Sequence, residues 1–142
     1  MRPPVIVDTN IVVAGLLTQN PESPVAAILD AMLSAAIPFA LSEALLAEYR
    51  DVLGRPQLRR LHRLTFDEID LILTDIALHA TVLAPPAGPS APDPGDQMLW
   101  DLLASRTDMR LITGDAALLA DPVMAGRVIS ARDFIAADRA GR

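Results

Sequence analysis

The sequence predicts an α/β fold with a central parallel sheet, and two observations carry that prediction. Short apolar runs alternate with longer segments of helical periodicity along most of the chain, as in successive β and α units. Two of those runs, Val5-Ile6-Val7 and Leu111-Ile112-Thr113, each lead into an acid, Asp8 and Asp115 respectively. In an open α/β sheet the crevice at the carboxyl ends of the strands is where ligands bind, so the two carboxylates mark a candidate site. A chain of 142 residues with 51% hydrophobic content fits a single domain over 1–142 that buries one core.

The elements follow in order. The strand Val5 to Val7 is succeeded by a short apolar helix over Ile11 to Leu17. Ser23-Pro24 offers an N-cap and a first-turn proline for a helix over Val25 to Ala36. Ile37 to Leu41 reads as a second strand, and Ser42 caps a helix that runs to Leu53 and stops at Gly54. Thr65-Phe66-Asp67-Glu68 is a capping box, opening a helix from Phe66 to about His79 with Ile69, Ile72, Leu73 and Ile76 on one face. Thr81 to Leu83 is a third short strand. Ala84 to Gly95, with five prolines, reads as an extended surface loop within the domain. A helix over Asp96 to Ser105, the strand Arg110 to Thr113, a short helix at Ala116 to Ala120, the strand Val128-Ile129 and a helix capped by Ser130 complete the chain.

Composition removes several chemistries. No cysteine is present and the two histidines, His62 and His79, lie far from the acid runs, so thiol nucleophiles and thiolate zinc sites are excluded and any metal is held by oxygen. All 12 basic side chains are arginine. A Walker A loop, a Schiff-base enzyme and a phosphatase that needs a phosphate-binding lysine therefore lack a required amine. The net charge of -6 runs against a general nucleic-acid binder but leaves room for a local arginine patch. No apolar run reaches the ~18 residues of a membrane span, and Met1-Arg2-Pro3-Pro4 leads straight into a strand, so a cytoplasmic protein without a signal peptide is expected.

Helical spacing sorts the remaining acids. Glu48 lies three residues after Leu45 and four before Val52, which turns it toward the core face. Asp96 shares a stripe with Leu99 and Leu103, whereas Asp101 clusters with Gln97 and Ser105 as a surface acid; the stripe is the reason to choose Asp96 over Asp93. Asp8, Glu48, Asp96 and Asp115 thus form a candidate cluster from four segments. Two unit charges ~4 Å apart repel by about 4 kcal/mol at an effective dielectric near 20, so four acids together call for protonation or a cation. Magnesium or manganese, hard ions that favour carboxylate and water oxygens, meet that need.

The succession Val5-Ile6-Val7-Asp8-Thr9-Asn10, Ser42 through Glu48-Tyr49, Asp93-Pro94-Gly95-Asp96 and Leu111-Ile112-Thr113-Gly114-Asp115 resembles the PIN-domain nucleases. It is most similar to the bacterial branch of toxin components of toxin-antitoxin systems, relatives of the VapC ribonucleases. That resemblance implies a three-layer α/β/α fold with a parallel sheet and a magnesium- or manganese-dependent endoribonuclease site. It implies in-line attack by a metal-activated water, with products ending in 5′-phosphate and 3′-hydroxyl groups. Asp8 and Asp96 would be the main metal ligands, with Glu48 and Asp115 completing the catalytic quartet, and Asn10 and Thr113 would tune the site or contact phosphate. RNA as substrate, a cognate antitoxin and a homodimer follow from the same resemblance. Gln97 departs from the pattern, since relatives commonly carry an acid or Asn directly after the third aspartate.

Competing readings stand beside these. Asp8 and Asp115 also suit turns or helix caps, Glu48 alone suits a solvated face, and Asn10 and Thr113 cap turns routinely. Arg55, Arg59, Arg60 and Arg63 surround His62 in the densest basic stretch. They read either as a solvated helix face, anchored by Leu58, Leu61 and Leu64, or as contacts to RNA phosphates. Trp100 and Tyr49 read as packing. For the whole chain the alternatives are a PIN-like binding module with little or no catalysis, and a phosphatase of the haloacid-dehalogenase type. The latter expects a second acid where Asn10 stands and a lysine that is missing.

Overall fold

The computed structural model describes residues 2–122, 124 and 126–141. Among the described residues five short strands, all parallel, carry the fold: β1 (Val5–Val7), β2 (Ala40–Leu41), β3 (Thr81–Val82), β4 (Arg110–Ile112) and β5 (Val128–Ile129). β1 pairs with β4 and β4 with β5, while β2 pairs with β3. A parallel bridge between Val5 and Phe39, with the Val5 amide donating to the Pro38 carbonyl at 3.1 Å, joins the two ladders. The order across the sheet is therefore β3-β2-β1-β4-β5, and the direction of winding reverses between β1 and β4. Helices on the sheet complete the expected three-layer α/β/α arrangement.

The helices are α1 (Thr9–Leu17), α2 (Pro24–Leu33), α3 (Glu43–Leu53), α4 (Pro56–His62), α5 (Phe66–His79), α6 (Gln97–Ser105), α7 (Ala116–Leu119) and α8 (Ala131–Ala140). Their caps are the ones the sequence announces. Ser23 accepts from the Ala26 amide at 3.2 Å, Ser42 from Leu45 at 3.1 Å and Ser130 from Asp133 at 3.1 Å. Thr65 and Glu68 exchange the two bonds of a capping box at 3.1 and 3.0 Å.

Several expected boundaries move. α2 ends at Leu33 rather than Ala36, because Ala35 turns left-handed (φ 59°) and the Ala36 amide returns to the Ala31 carbonyl at 2.9 Å, the Schellman pattern of a closed helix end. The second strand shrinks from Ile37–Leu41 to Ala40–Leu41, since Pro38 has no N–H to give a ladder and Phe39 forms an isolated bridge to Val5 while its carbonyl accepts from the Thr81 amide at 2.9 Å. Leu61 does not anchor α4: it is 65% exposed, and a seven-residue helix presents it outward. Asp101 is not a free surface acid. It is half-buried and accepts from the Gly88 amide at 2.8 Å and the Gln97 amide group at 2.9 Å.

The core lies on both faces of β1 and β4, with Ile6, Leu41, Leu45, Tyr49, Leu53, Trp100, Leu103 and Leu111 fully buried. Tyr49 does more than pack, because its hydroxyl donates to the Val7 carbonyl and so ties α3 to the end of β1. α1 and α2 approach closely at Gly15, where an added Cβ would stand 2.9 Å from Leu29 Cβ and 2.9 Å from the Val25 carbonyl oxygen. Helix propensity favours Gly15→Ala by about 1 kcal/mol, but overpacking costs about 1 to 3 kcal/mol. The clash with backbone should win, so Gly15→Ala should lower the urea midpoint; an unchanged or higher midpoint would show that the two helices separate without cost.

Candidate functional site

The carboxyl ends of β1 and β4 meet at the winding reversal, where an open α/β sheet leaves its crevice. Asp8 leaves β1, caps α1 and is 8% exposed, with its amide donating to the Ile112 carbonyl at 2.9 Å. Thr113 leaves β4 fully buried. Its hydroxyl donates to Asp8 Oδ2 at 2.7 Å and accepts from the Asp115 amide at 3.0 Å, so one side chain links both acidic segments. Asn10, exposed on the first turn of α1, accepts from the Gly114 amide at 3.3 Å and braces the same turn from the other side.

Asp115 caps α7 as well as facing the site: its Oδ1 accepts from the Ala117 amide at 2.8 Å. The capping reading and the site reading are thus compatible, since Oδ2 makes no hydrogen bond within the described chain. Glu48 is half-buried on α3, next to the Tyr49 whose hydroxyl reaches the residue before Asp8. Burial, and then the Asp8 charge, hold the Tyr49 phenol above its ordinary range. Asp96 closes a 3-10 turn, Pro94–Asp96, and stands at the N-cap of α6, which packs on β1 and β4. Asp93, by contrast, is exposed and spends Oδ1 on the Gly95 amide at 2.8 Å.

Electrostatics show that these acids share one field. The Asp96 carboxyl is pushed up to about 6, first by burial and then by the charges of Asp8, Asp93, Asp115 and Glu48. Asp8 is also raised, chiefly by burial; the Thr113 hydroxyl and the Thr9 amide oppose the rise, and the Asp115 charge adds to it. The four predicted acids are near enough to repel but are not drawn together as a coordination sphere. Among the described residues, no three acid or histidine side chains form a group able to hold a metal ion. The donor chemistry nonetheless fits a hard divalent cation, being carboxylate throughout with a buried hydroxyl in support.

The arginine stretch runs from Arg55 at the N-cap of α4 to Arg63 at its C-cap. Arg55 pairs with Asp51 at 3.0 Å and Arg59 lies over the Phe66 ring, while Arg60 and Arg63 are exposed. Two residues that position the site escaped the sequence reading. Tyr49 was legible only as packing, although a tyrosine on a core stripe signals a hydroxyl that needs a partner. Gln97 serves the proline-rich loop: it accepts from the Ala91 amide at 2.9 Å and donates to the Pro89 carbonyl at 2.9 Å.

A parallel α/β sheet in the order β3-β2-β1-β4-β5, with Asp8 and Asp115 beyond the carboxyl ends of β1 and β4, defines the class of fold. The PIN domain model matches residues 4–117, and the chain belongs to the PIN-domain family, whose members are generally nucleases. No curated protein shows significant similarity to the chain.

A raised carboxyl favours the protonated folded form. Its contribution to stability is complete below the unfolded value of 3.8 and is lost as pH rises through about 6. In chelator, the urea midpoint should therefore fall between about pH 4 and pH 6.5, and Asp96→Asn should flatten part of that fall. Identical pH profiles for the two proteins would show that Asp96 does not feel its neighbours.

Proposed function

We propose that this chain is a divalent-metal-dependent endoribonuclease, a single PIN-like domain over residues 1–142 acting in the cytoplasm as the toxin of a toxin-antitoxin pair. The observation that carries this reading is the Thr113 hydroxyl that links Asp8 and Asp115 beyond the carboxyl ends of β1 and β4, and the Asp96 carboxyl, raised by burial and by the charges of Asp8, Asp115 and Glu48, supports it. Asp8 and Asp96 would be the main ligands of a magnesium or manganese ion, with Glu48 and Asp115 completing the set. The chemistry such an ion supplies when bound is neutralisation of phosphodiester charge and acidification of water.

The chain's own groups do the rest. The Thr113 hydroxyl fixes the Asp8 carboxylate by occupying Oδ2, and the N-terminus of α1 favours the ionised form. The Asp8–Thr113 bond and the Asn10–Gly114 bond together hold the β4–α7 turn, and hence Asp115, against α1. Glu48 and Asp96 enter from α3 and from the turn before α6. A cognate antitoxin and a homodimer belong to this proposal through the resemblance, as does contact of Arg55, Arg59, Arg60 and Arg63 with RNA. Among the described residues no helix is long and apolar enough to cross a membrane, which agrees with a substrate met in solution.

Magnesium or manganese should raise the melting temperature, and chelator should stop cleavage of RNA. Asp8→Asn should remove cleavage and blunt the metal-induced stabilisation. Thr113→Val, which deletes the hydroxyl that orients Asp8, should weaken apparent metal affinity by about 10- to 100-fold. Full-rate RNA cleavage in chelator would overturn the metal reading. Hydrolysis of a generic chromogenic phosphate ester without RNA cleavage would instead favour a phosphatase. Expression of the chain alone should arrest growth where Asp8→Asn does not, and growth at equal rates would remove the toxin assignment.

A further inference from the structure

The corner between α4 and α5 presents a half-exposed aromatic ring on an arginine. The Arg59 guanidinium carbon lies 4.1 Å from the centroid of the Phe66 ring, and Phe66 is 50% exposed although it is one of only three phenylalanines. Its position is fixed from three directions. Phe66 is the first residue of α5, directly after the capping box of Thr65 and Glu68. Gly54 leaves room at the ring edge, where an added Cβ would come 3.4 Å from Phe66 Cε1. His62 clasps the corner between, with Nε2 2.9 Å from the Leu53 carbonyl oxygen and Nδ1 accepting from the Leu64 amide at 2.9 Å.

The arginines of this corner are only partly matched within the chain. Arg59 Nε is buried without a hydrogen-bond partner, an arrangement that packing alone does not favour. The exposed Arg60 and Arg63 form no ion pair or hydrogen bond through their side chains within the described chain, whereas Arg55 is matched by Asp51. Arg63 also holds a left-handed backbone (φ 59°) that glycine would adopt at less cost, so the corner keeps a cation at a strained position. Arg59 on the ring, with Arg60 and Arg63 on the segment that leads to it, outnumbers Asp67 and Glu68 of the first turn of α5 at this corner of a chain of net charge -6. α4 packs against α1, which starts after Asp8, and against α3, which carries Glu48.

We infer that Phe66, backed by Arg59 and flanked by Arg60 and Arg63, is a base-stacking platform for single-stranded RNA. A nucleobase would lie on the ring and the adjacent phosphates would meet the arginines. Aromatic stacking combined with cationic contacts to the backbone is how single strands are held without sequence readout, and the preorganised ring costs little entropy on binding. The inference rests on the ribonuclease reading for its substrate and adds a site outside the acidic cluster. It differs from a generic phosphate patch because it requires a base.

The test uses the full chain carrying Asp8→Asn, so that RNA survives, and reads fluorescence anisotropy with a labelled oligouridylate and with an abasic oligomer of equal length. Phe66→Leu should weaken oligouridylate binding about tenfold and leave abasic binding unchanged, while Phe66→Trp should restore it. Replacing Arg60 and Arg63 with Gln should weaken both oligomers and reduce the salt slope by roughly 0.7 for each lost contact. Equal binding by Phe66→Leu and its parent, or equal losses on both oligomers, would assign the ring to packing and overturn the platform. Absence of RNA binding by the parent would overturn it too, while RNA cleavage by the unaltered chain judges the nuclease reading separately.

Discussion

Asp8 is a carboxylate buried at the end of the central strand β1, and the bonds that accommodate it reach across the sheet. Desolvation pushes its carboxyl upward. The opposing forces come from neighbours that only this topology supplies: the Thr113 hydroxyl from the end of β4, and the amides at the start of α1. Both depend on the parallel register that sets Val7 beside Ile112. A slip of one residue would turn Thr113 to the opposite face of the sheet and strand the carboxylate in an apolar wall. The same register delivers the Asp115 amide to Thr113, so the second acid is placed by the bond that steadies the first.

The elements legible in the sequence were those whose signals are local. The Thr65–Glu68 capping box and the Ser42 and Ser130 caps are written in side chains that bond within one turn, and the structure makes each of those bonds. Strand lengths were less legible, because apolarity continues past the point where pairing stops; Ile37 and Phe39 are buried without belonging to β2. Of the candidate site, Asp8, Glu48, Asp96 and Asp115 could be assembled from faces and strand ends; Asp96 feels the charges of the other three, but among the described residues no three of these acids form a group able to hold a metal ion. What periodicity could not reveal is long-range bonding. The Tyr49 bond to Val7 spans 42 residues and the Thr113 bond to Asp8 spans 105, so neither leaves a local trace.

The balance of charge poses a second constraint. A polyanion approaching a chain of net charge -6 is repelled at long range and more so near four carboxylates. Screening over a Debye length of about 8 Å at physiological salt confines that repulsion to the immediate surface. Cationic side chains on a separate helix can therefore attract a strand locally without collapsing onto the acids. The arginines of α4 and its caps meet Phe66 or Asp51 or stand exposed, and among the described residues none forms an ion pair with Asp8, Glu48, Asp96 or Asp115.

The proline-rich loop shows how the third acid is held and why Gln97 follows it. Pro85, Pro86, Pro89, Pro92 and Pro94 donate no backbone hydrogen bonds, so the segment cannot secure itself and needs side chains from elsewhere. Gln97 and Asp101, one turn apart on α6, supply them by binding Pro89, Ala91 and Gly88. Asp93 adds its bond to Gly95 and closes the turn that ends in Asp96. An acid at 97 could accept from the Ala91 amide but could not donate to the Pro89 carbonyl, and it would set a second negative charge beside Asp101. The amide of Gln97 is thus a requirement of this loop: the residue after Asp96 anchors the segment that leads into the turn ending in Asp96.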